Sequence, residues 1–310
     1  MPFLIAILSI ILIYFAFGFI IFYSAFHRKK DFNWLSVDAL KKTPWKPFAN
    51  DIPNHFKWIE ENNAKDVSIS SFDGTILKGK WIENKNAKAT VIVMHGYKGH
   101  YASDYGLVLD VYKSLGFNIL MFRQRAHGES GGKYITFGAK EHKDLLSIID
   151  YHNKTYGENP IFVSGLSMGA STVLYASNKD LPKNVKALCA DCGFTSPYEI
   201  VLKVVSDTLH FNAKFLMPGV NFWCKLLAKF DIKEYNTVEI LKTAKRPILF
   251  IHGKDDDFVP CYMTERGYES CTAEKQLVIV EGAGHGTSYI VEPERVKNAF
   301  SDFFIKHLND

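Results

Sequence analysis

Cysteine is scarce in this chain, net charge is small, and neither an internal repeat nor a low-complexity tract is present. The five cysteines, Cys189, Cys192, Cys224, Cys261 and Cys271, are odd in number and lie in apolar or mixed segments, which suits reduced, buried thiols and argues against a disulfide framework. Cys189 and Cys192 have the spacing of a redox pair or half a zinc site, yet no second pair and no His pair follows them. Lys+Arg 37 against Asp+Glu 33 leaves a net charge of +4, too even a balance for a nucleic-acid binder. No nucleotide-binding loop and no metal-ligand cluster stands out, so no cofactor and no metal is expected.

Charge is also missing from Phe3 to Phe26. These residues, at about 1.5 Å each, span about 36 Å, enough to cross a hydrocarbon core of about 30 Å with some tilt. A signal peptide normally carries charge before its apolar run and a small-residue cleavage site after it, whereas here the basic run "HRKK" follows. A buried core helix would keep a polar face, and this segment is apolar all round. Residues 1–30 therefore read as an uncleaved single-pass anchor with a basic flank. Arg28, Lys29 and Lys30 at its downstream end place the rest of the chain in the cytoplasm by the positive-inside tendency. Lys41, Lys42 and Lys46 extend the basic stretch, which is suited either to anionic headgroups or to a solvated linker.

Residues 31–65 form a weakly patterned connector marked by Pro44, Pro47 and Pro53. Beyond it the pattern changes. The runs "VSISSF" and "ILKGKWI" flank Asp73-Gly74, a dipeptide that supplies the positive φ of a tight turn, so an antiparallel hairpin opens the domain. Six apolar runs follow, "ATVIVM", "FNILMF", "PIFVSG", "VKALCA", "RPILFI" and "KQLVIV", separated by helix-length segments. Continuous apolar strands alternating with helices mean a mostly parallel sheet covered on both faces. The closing segment from Pro293 to Leu308 sets Val296, Phe300, Phe303 and Phe304 at helical spacing against that sheet.

"GLSMG", Gly165 to Gly169, sits where the strand "PIFVSG" turns into a helix-like run of small residues. A serine bracketed by glycines is weak information by itself. In an open parallel sheet, however, chemistry gathers at the carboxyl ends of the strands, and a serine in a tight strand-to-helix turn projects its hydroxyl there. Ser167 is thus a candidate nucleophile. Its hydroxyl needs a base, and the base an orienting carboxylate, both later in the chain. An acidic cluster follows "RPILFI", and beyond it the described order leaves two histidines. His307 falls on the final helix near its expected exposed end; His285, between Gly284 and Gly286 after the last strand, is the better base.

From about Asp66 to Asp310 the chain resembles an α/β-hydrolase of the serine esterase and lipase type, and more narrowly bacterial hydrolases with an amino-terminal membrane anchor. The resemblance rests on "VMHGYKGH", "QRAHGESGGKYITFG", "GLSMG", "HGKDDDFVP" and "GAGH", in order and spacing, over about four fifths of the chain. It implies a Ser167, Asp256, His285 triad, with Asp255 and Asp257 in a solvated turn. It implies an oxyanion hole made by the backbone N–H groups of Tyr97 and Met168. His95, Gly96 and His127 then shape the loops, and Gln124 stands where many relatives carry an acid.

The catalytic domain, residues 66–310, includes a long segment at about 195–243 that reads as a helical cap. Its Phe211, Phe215, Leu216, Met217, Phe222 and Trp223 suit a hydrophobic acyl or aromatic ester, or else only pack the cap. The expected activity is hydrolysis of a small-molecule or lipid-like carboxylic ester through an acyl-enzyme. A peptidase, thioesterase or acyltransferase on the same fold is the alternative, and a non-catalytic membrane-tethered binding module a further one.

Overall fold

The structure, a computed structural model, describes residues 1–43 and 45–308. Pro44, one of the three connector prolines, lies outside the described residues, as do Asn309 and Asp310. Helix α1 (Pro2–Phe26) begins with proline at its first turn, where a missing N–H costs nothing. The connector is more ordered than its sequence pattern suggests. It holds α2 (Val37–Leu40), a 3₁₀ turn (Lys46–Phe48) and α3 (Ile52–Glu61), and buries its own small core of Trp34, Leu40, Ala49 and Ile52.

The sheet begins with the hairpin β1 (Lys65–Ser70) and β2 (Ile76–Ile82), joined through Gly74 at φ 81°. Next come β3 (Ala89–Met94), α4 (Tyr101–Ser114), β4 (Phe117–Phe122), α5 (Glu141–Tyr156), β5 (Ile161–Leu166), α6 (Met168–Ala176) and β6 (Val185–Asp191). The cap follows as α7 (Pro197–Leu209), a 3₁₀ turn (Ala213–Leu216), α8 (Met217–Trp223), a π-helical turn (Cys224–Ala228) and α9 (Thr237–Leu241). The chain then returns through β7 (Ile248–Gly253), α10 (Tyr262–Ser270), β8 (Lys275–Val280), α11 (Ser288–Val291) and α12 (Pro293–Lys306).

The eight strands are ordered β1-β2-β4-β3-β5-β6-β7-β8, antiparallel at β1-β2 and β2-β4 and parallel elsewhere. Every residue of β3, β4 and β7 is buried, as expected of strands with helices on both faces. On one face α12 lays down Val296, Phe300, Phe303 and Phe304, and the Phe304 ring stacks on Phe162 at 4.5 Å between centroids. Each such phenylalanine contributes about 1.5–3 kcal/mol by leaving water. His307 departs from its expected exposed position. The end of α12 packs down beside Glu274, leaving His307 1% exposed with its ring 4.8 Å from that of Phe303.

The second half of α1 is part of the packed domain. Phe22 and Phe26 are fully buried among Ile135, Phe137, Met217 and Val220. Gly18 meets Gly219 of α8 so closely that a Cβ on Gly18 would fall 2.7 Å from the Gly219 carbonyl carbon. Tyr14 Oη donates to the Phe215 carbonyl at 2.9 Å and accepts the Gly219 N–H at 3.0 Å, while Trp223 Nε1–H donates to the Phe15 carbonyl at 2.8 Å. The first half of α1, by contrast, is exposed around its whole circumference.

Candidate active site

Ser167 sits between β5 and α6 with φ 56° and ψ −114°, a conformation an L-residue adopts only under constraint. Two glycines permit it. A Cβ on Gly165 would lie 2.2 Å from the Gly169 carbonyl oxygen, and a Cβ on Gly169 would lie 1.8 Å from that of Met94. The helix therefore crosses the strands at a distance only hydrogen side chains allow. The Ser167 N–H donates to the Asp191 carbonyl at 2.8 Å, fixing the turn against β6.

His285, in the loop after β8, brings Nε2 to 2.9 Å from Ser167 Oγ, and its Nδ1 lies 2.7 Å from Asp256 Oδ2. With a carboxylate facing Nδ1, that nitrogen is the donor, which leaves Nε2 to accept the serine proton. Asp256 is 5% exposed in the turn after β7, whereas Asp255 and Asp257 on either side face solvent. Its Oδ1 accepts the N–H groups of Phe258 and Val259 at 2.9 and 2.8 Å. Burial works to raise the Asp256 carboxyl, but hydrogen bonds from His252, His285 and the Val259 N–H outweigh it and hold the group well below the usual carboxylate range.

The loop after β3 is fixed from several sides. Gly96 N–H donates to Asp104 Oδ2 at 2.6 Å, and Lys98 N–H to His127 Nε2 at 3.0 Å. Gln124 donates its backbone N–H to His95 Nε2 at 2.9 Å and its side-chain amide to the His95 carbonyl. These bonds give Gln124, for which the sequence offered no role, a place in the loop: its amide donates to the His95 carbonyl, while its Oε1 is buried without a partner. Tyr97 is held by its hydroxyl, which donates to the Ala25 carbonyl of α1 at 2.7 Å. Among the described residues, neither the Tyr97 N–H nor the Met168 N–H has an acceptor within the chain.

A cavity of about 490 Å³ opens on Ser167 and His285, with Trp45, Phe48, Leu107, Phe258, Tyr289 and Ile290 among its apolar walls. The cap aromatics, for which lining the site was one of two expected roles, are not on this wall. Leu216 and Met217 are buried, Met217 against α1, while Phe211, Phe215 and Phe222 face outward. The connector and the loops after β7 and β8 take their place. Ser103, Asp104 and Asp191 add polar atoms. Asp191 is 8% exposed with Oδ1 lacking a partner, and burial pushes its carboxyl up to about 6.

The sequence reading missed His252, which is fully buried, 3.1 Å from Asp256 Oδ2 and 2.7 Å from Thr264 Oγ1, and so braces the acid. It also missed Asp104 and Asp191. Asp191 is the last residue of β6, beside the nucleophile's own strand, a position that marks a candidate in any parallel sheet. Cys192, Asp256 and His285 each offer a ligand atom within 4.8 Å of the others. Burial raises the Cys192 thiol well above its ordinary value, so the thiolate a metal needs is disfavoured, and the other two are engaged with each other.

An eight-stranded sheet, a strained serine at a strand-to-helix turn, and a histidine and acid on later strand ends define an α/β-hydrolase of the serine-esterase-like kind. The comparisons agree. Residues 85–220 match the family model described as serine aminopeptidase, S33. The chain is 28% identical to the uncharacterized protein YqkD of Bacillus subtilis over 82% of its own length and 83% of that protein's. It is 24% identical to the lysophosphatidylserine lipase ABHD12 of Danio rerio, over 72% of this chain and 60% of that one. Among solved structures, the Pyrococcus furiosus esterase Pf2001 superimposes with a TM-score of 0.65 at 27% identity, covering 81% of this chain and 94% of the esterase. The chain therefore has the α/β-hydrolase fold and is similar to an esterase and a lipase.

Proposed function

We propose that Ser167, His285 and Asp256 form a catalytic triad that hydrolyses carboxylic esters of hydrophobic acids through an acyl-enzyme. The observation that carries this is the continuous relay from Ser167 Oγ to His285 at 2.9 Å and from His285 to Asp256 at 2.7 Å. Ser167 Oγ attacks the ester carbonyl carbon while His285 Nε2 takes its proton; the tetrahedral oxyanion is met by the N–H groups of Tyr97 and Met168. Collapse expels the alcohol, which receives the proton from His285. Water, activated by the same nitrogen, then attacks the acyl-serine and restores the hydroxyl. Asp256, kept ionised by its surroundings, orients the ring and stabilises the imidazolium.

The largely apolar walls of the cavity favour an aliphatic acyl or aromatic group. The match to a lipase acting on lysophosphatidylserine favours a lipid-derived ester, presented at a membrane. Helix α1, long and apolar enough to cross a bilayer, acts in this reading as a single-pass anchor, and the basic residues after it favour a cytoplasmic catalytic domain. The serine aminopeptidase description of the matching family model favours amide hydrolysis as the second reading.

The test is reaction of the full-length protein with a fluorophosphonate probe, followed by turnover of matched ester, thioester and amide substrates of one acyl group. Ser167→Ala is expected to lose labelling and to lower ester turnover by roughly three orders of magnitude or more. Labelling that persists in that variant sinks the assignment of the nucleophile. Faster turnover of the amide than of the ester moves the assignment to a peptidase.

A further inference from the structure

The outward face of the cap is unusually apolar. Phe211, Phe215 and Phe222 are 48%, 60% and 44% exposed. They continue the surface of α1: the Phe222 ring lies 4.8 Å from Phe15, Phe215 offers its carbonyl to Tyr14, and Phe211 stacks on Phe215 at 6.0 Å. Monomers seldom leave such contiguous aromatic surface in water.

Length decides what covers it. From Tyr14 onward α1 is fastened to the cap, so only Pro2 to Ile13 project freely, roughly 18 Å of helix at about 1.5 Å per residue. A hydrocarbon core is about 30 Å thick. If the cap stayed wholly in water, α1 would fall short of the far side by roughly 12 Å. If instead the water boundary lies at the end of α1, near Phe26, the contacts from Gly18 back to Tyr14 lie roughly 12–18 Å deep, about the thickness of one leaflet. The cap then enters with the helix.

Charge fits the second arrangement. Just past α1, Lys29 and Lys30 line a cavity of about 290 Å³ together with Lys98 and Arg123, and Asp31, the acid on that wall, is paired to Arg123 at 2.9 Å. Excess positive charge thus gathers at the level where headgroup phosphates would be. Tyr23, under the Lys29 ammonium at 5.1 Å, supplies an interfacial aromatic at the same height.

We propose that the outward face of the cap, carrying Phe211, Phe215 and Phe222, is inserted in one leaflet of an anionic bilayer alongside α1, with Lys29, Lys30 and Lys98 at the headgroup plane. The proposal rests on the reading of α1 as an anchor. It does not depend on the triad.

The experiment uses the full chain in phosphatidylcholine vesicles containing phosphatidylglycerol. Single cysteines replace Ile10, Phe215, Phe222 and, as an aqueous control, Glu158, and carry the environment-sensitive fluorophore NBD; the five native cysteines are buried and stay unlabelled under native conditions. Circular dichroism and a cooperative thermal transition like the parent's check that each labelled protein is folded. The expected result is that fluorescence at 10, 215 and 222 is lost to doxyl groups on lipid tails and spared by aqueous iodide, with the reverse at 158. Quenching by lipid at 10 but by iodide at 215 and 222 overturns insertion of the cap and leaves the anchor standing. Quenching by iodide at 10 as well overturns the anchor itself. Protection of 215 and 222 from both quenchers assigns the face to a second copy of the chain and overturns the proposal.

Discussion

Asp104, in the first turn of α4, accepts the N–H of Gly96 at 2.6 Å, one residue before the proposed oxyanion donor Tyr97. The carboxylate is fully engaged, its other oxygen accepting the Ser103 hydroxyl at 2.6 Å. It acts on the reaction through the loop, as a positioning residue.

Asp104→Ala should therefore leave a buried N–H unsatisfied and loosen the Tyr97 donor. The expected outcome is a kcat lowered about ten- to a hundredfold with KM little changed, because ground-state binding is lost less than stabilisation of the oxyanion. Asp104→Asn, which keeps a carbonyl acceptor, should recover most of the rate. Steady-state kinetics on one soluble ester separate the two parameters. Equal losses in both variants would show that the charge, not the acceptor, matters.

Acyl-chain preference should follow the connector. Phe48→Ala enlarges the cavity wall, and two further methylenes buried at about 0.8 kcal/mol each correspond to roughly fifteenfold in kcat/KM for the longer ester. Phe222→Ala, on the outward face of the cap, should leave the preference unchanged for a water-soluble ester series. A series of p-nitrophenyl esters from acetate upward reads both. A shift in the Phe222 variant alone would return specificity to the cap.

Asp191 predicts a pH dependence of stability. Burial lifts its carboxyl from the ordinary 3.8 to about 6, so between those values the folded state holds a proton that the unfolded chain releases. Stability from this group is fully present below about pH 4 and falls as the pH rises through about 6. At about 1.4 kcal/mol per pH unit the loss is on the order of 3 kcal/mol. Asp191→Asn removes the ionisation. Thermal unfolding should then show the variant gaining several degrees over the parent at pH 8 and little at pH 4. A gain of equal size at both values would refute the linkage.

Much of this was legible in the sequence, for identifiable reasons. The strands announced themselves because burial on both faces leaves uninterrupted apolar runs, as in "ATVIVM" and "FNILMF". Ser167 and His285 were legible because tight turns need glycine neighbours, and the structure sets their reactive atoms 2.9 Å apart. Asp256 emerges from its acidic neighbours by burial, a property three adjacent aspartates do not advertise. The lining of the cavity was not legible. Trp45 and Phe48 belong to a proline-marked stretch with no periodicity, and they reach the site only through the tertiary fold. The cap aromatics were ambiguous for the opposite reason: composition reports that a residue is apolar, not which way it faces. His252 was hidden in plain sight within "HGKDDDFVP", since a buried brace and a loop residue look alike until the strand end is built.

The union of α1 with the cap has a practical consequence for anyone wishing to make a water-soluble version. Deleting the apolar leader up to the lysines would strip Phe22 and Phe26 from a packed interior and leave the Tyr97 hydroxyl without the Ala25 carbonyl. A cut before Tyr14 keeps those contacts and removes the projecting turns, and the apolar face of Phe211, Phe215 and Phe222 then needs polar replacements as well. The natural seam of this molecule thus runs through the middle of a helix, not at its end.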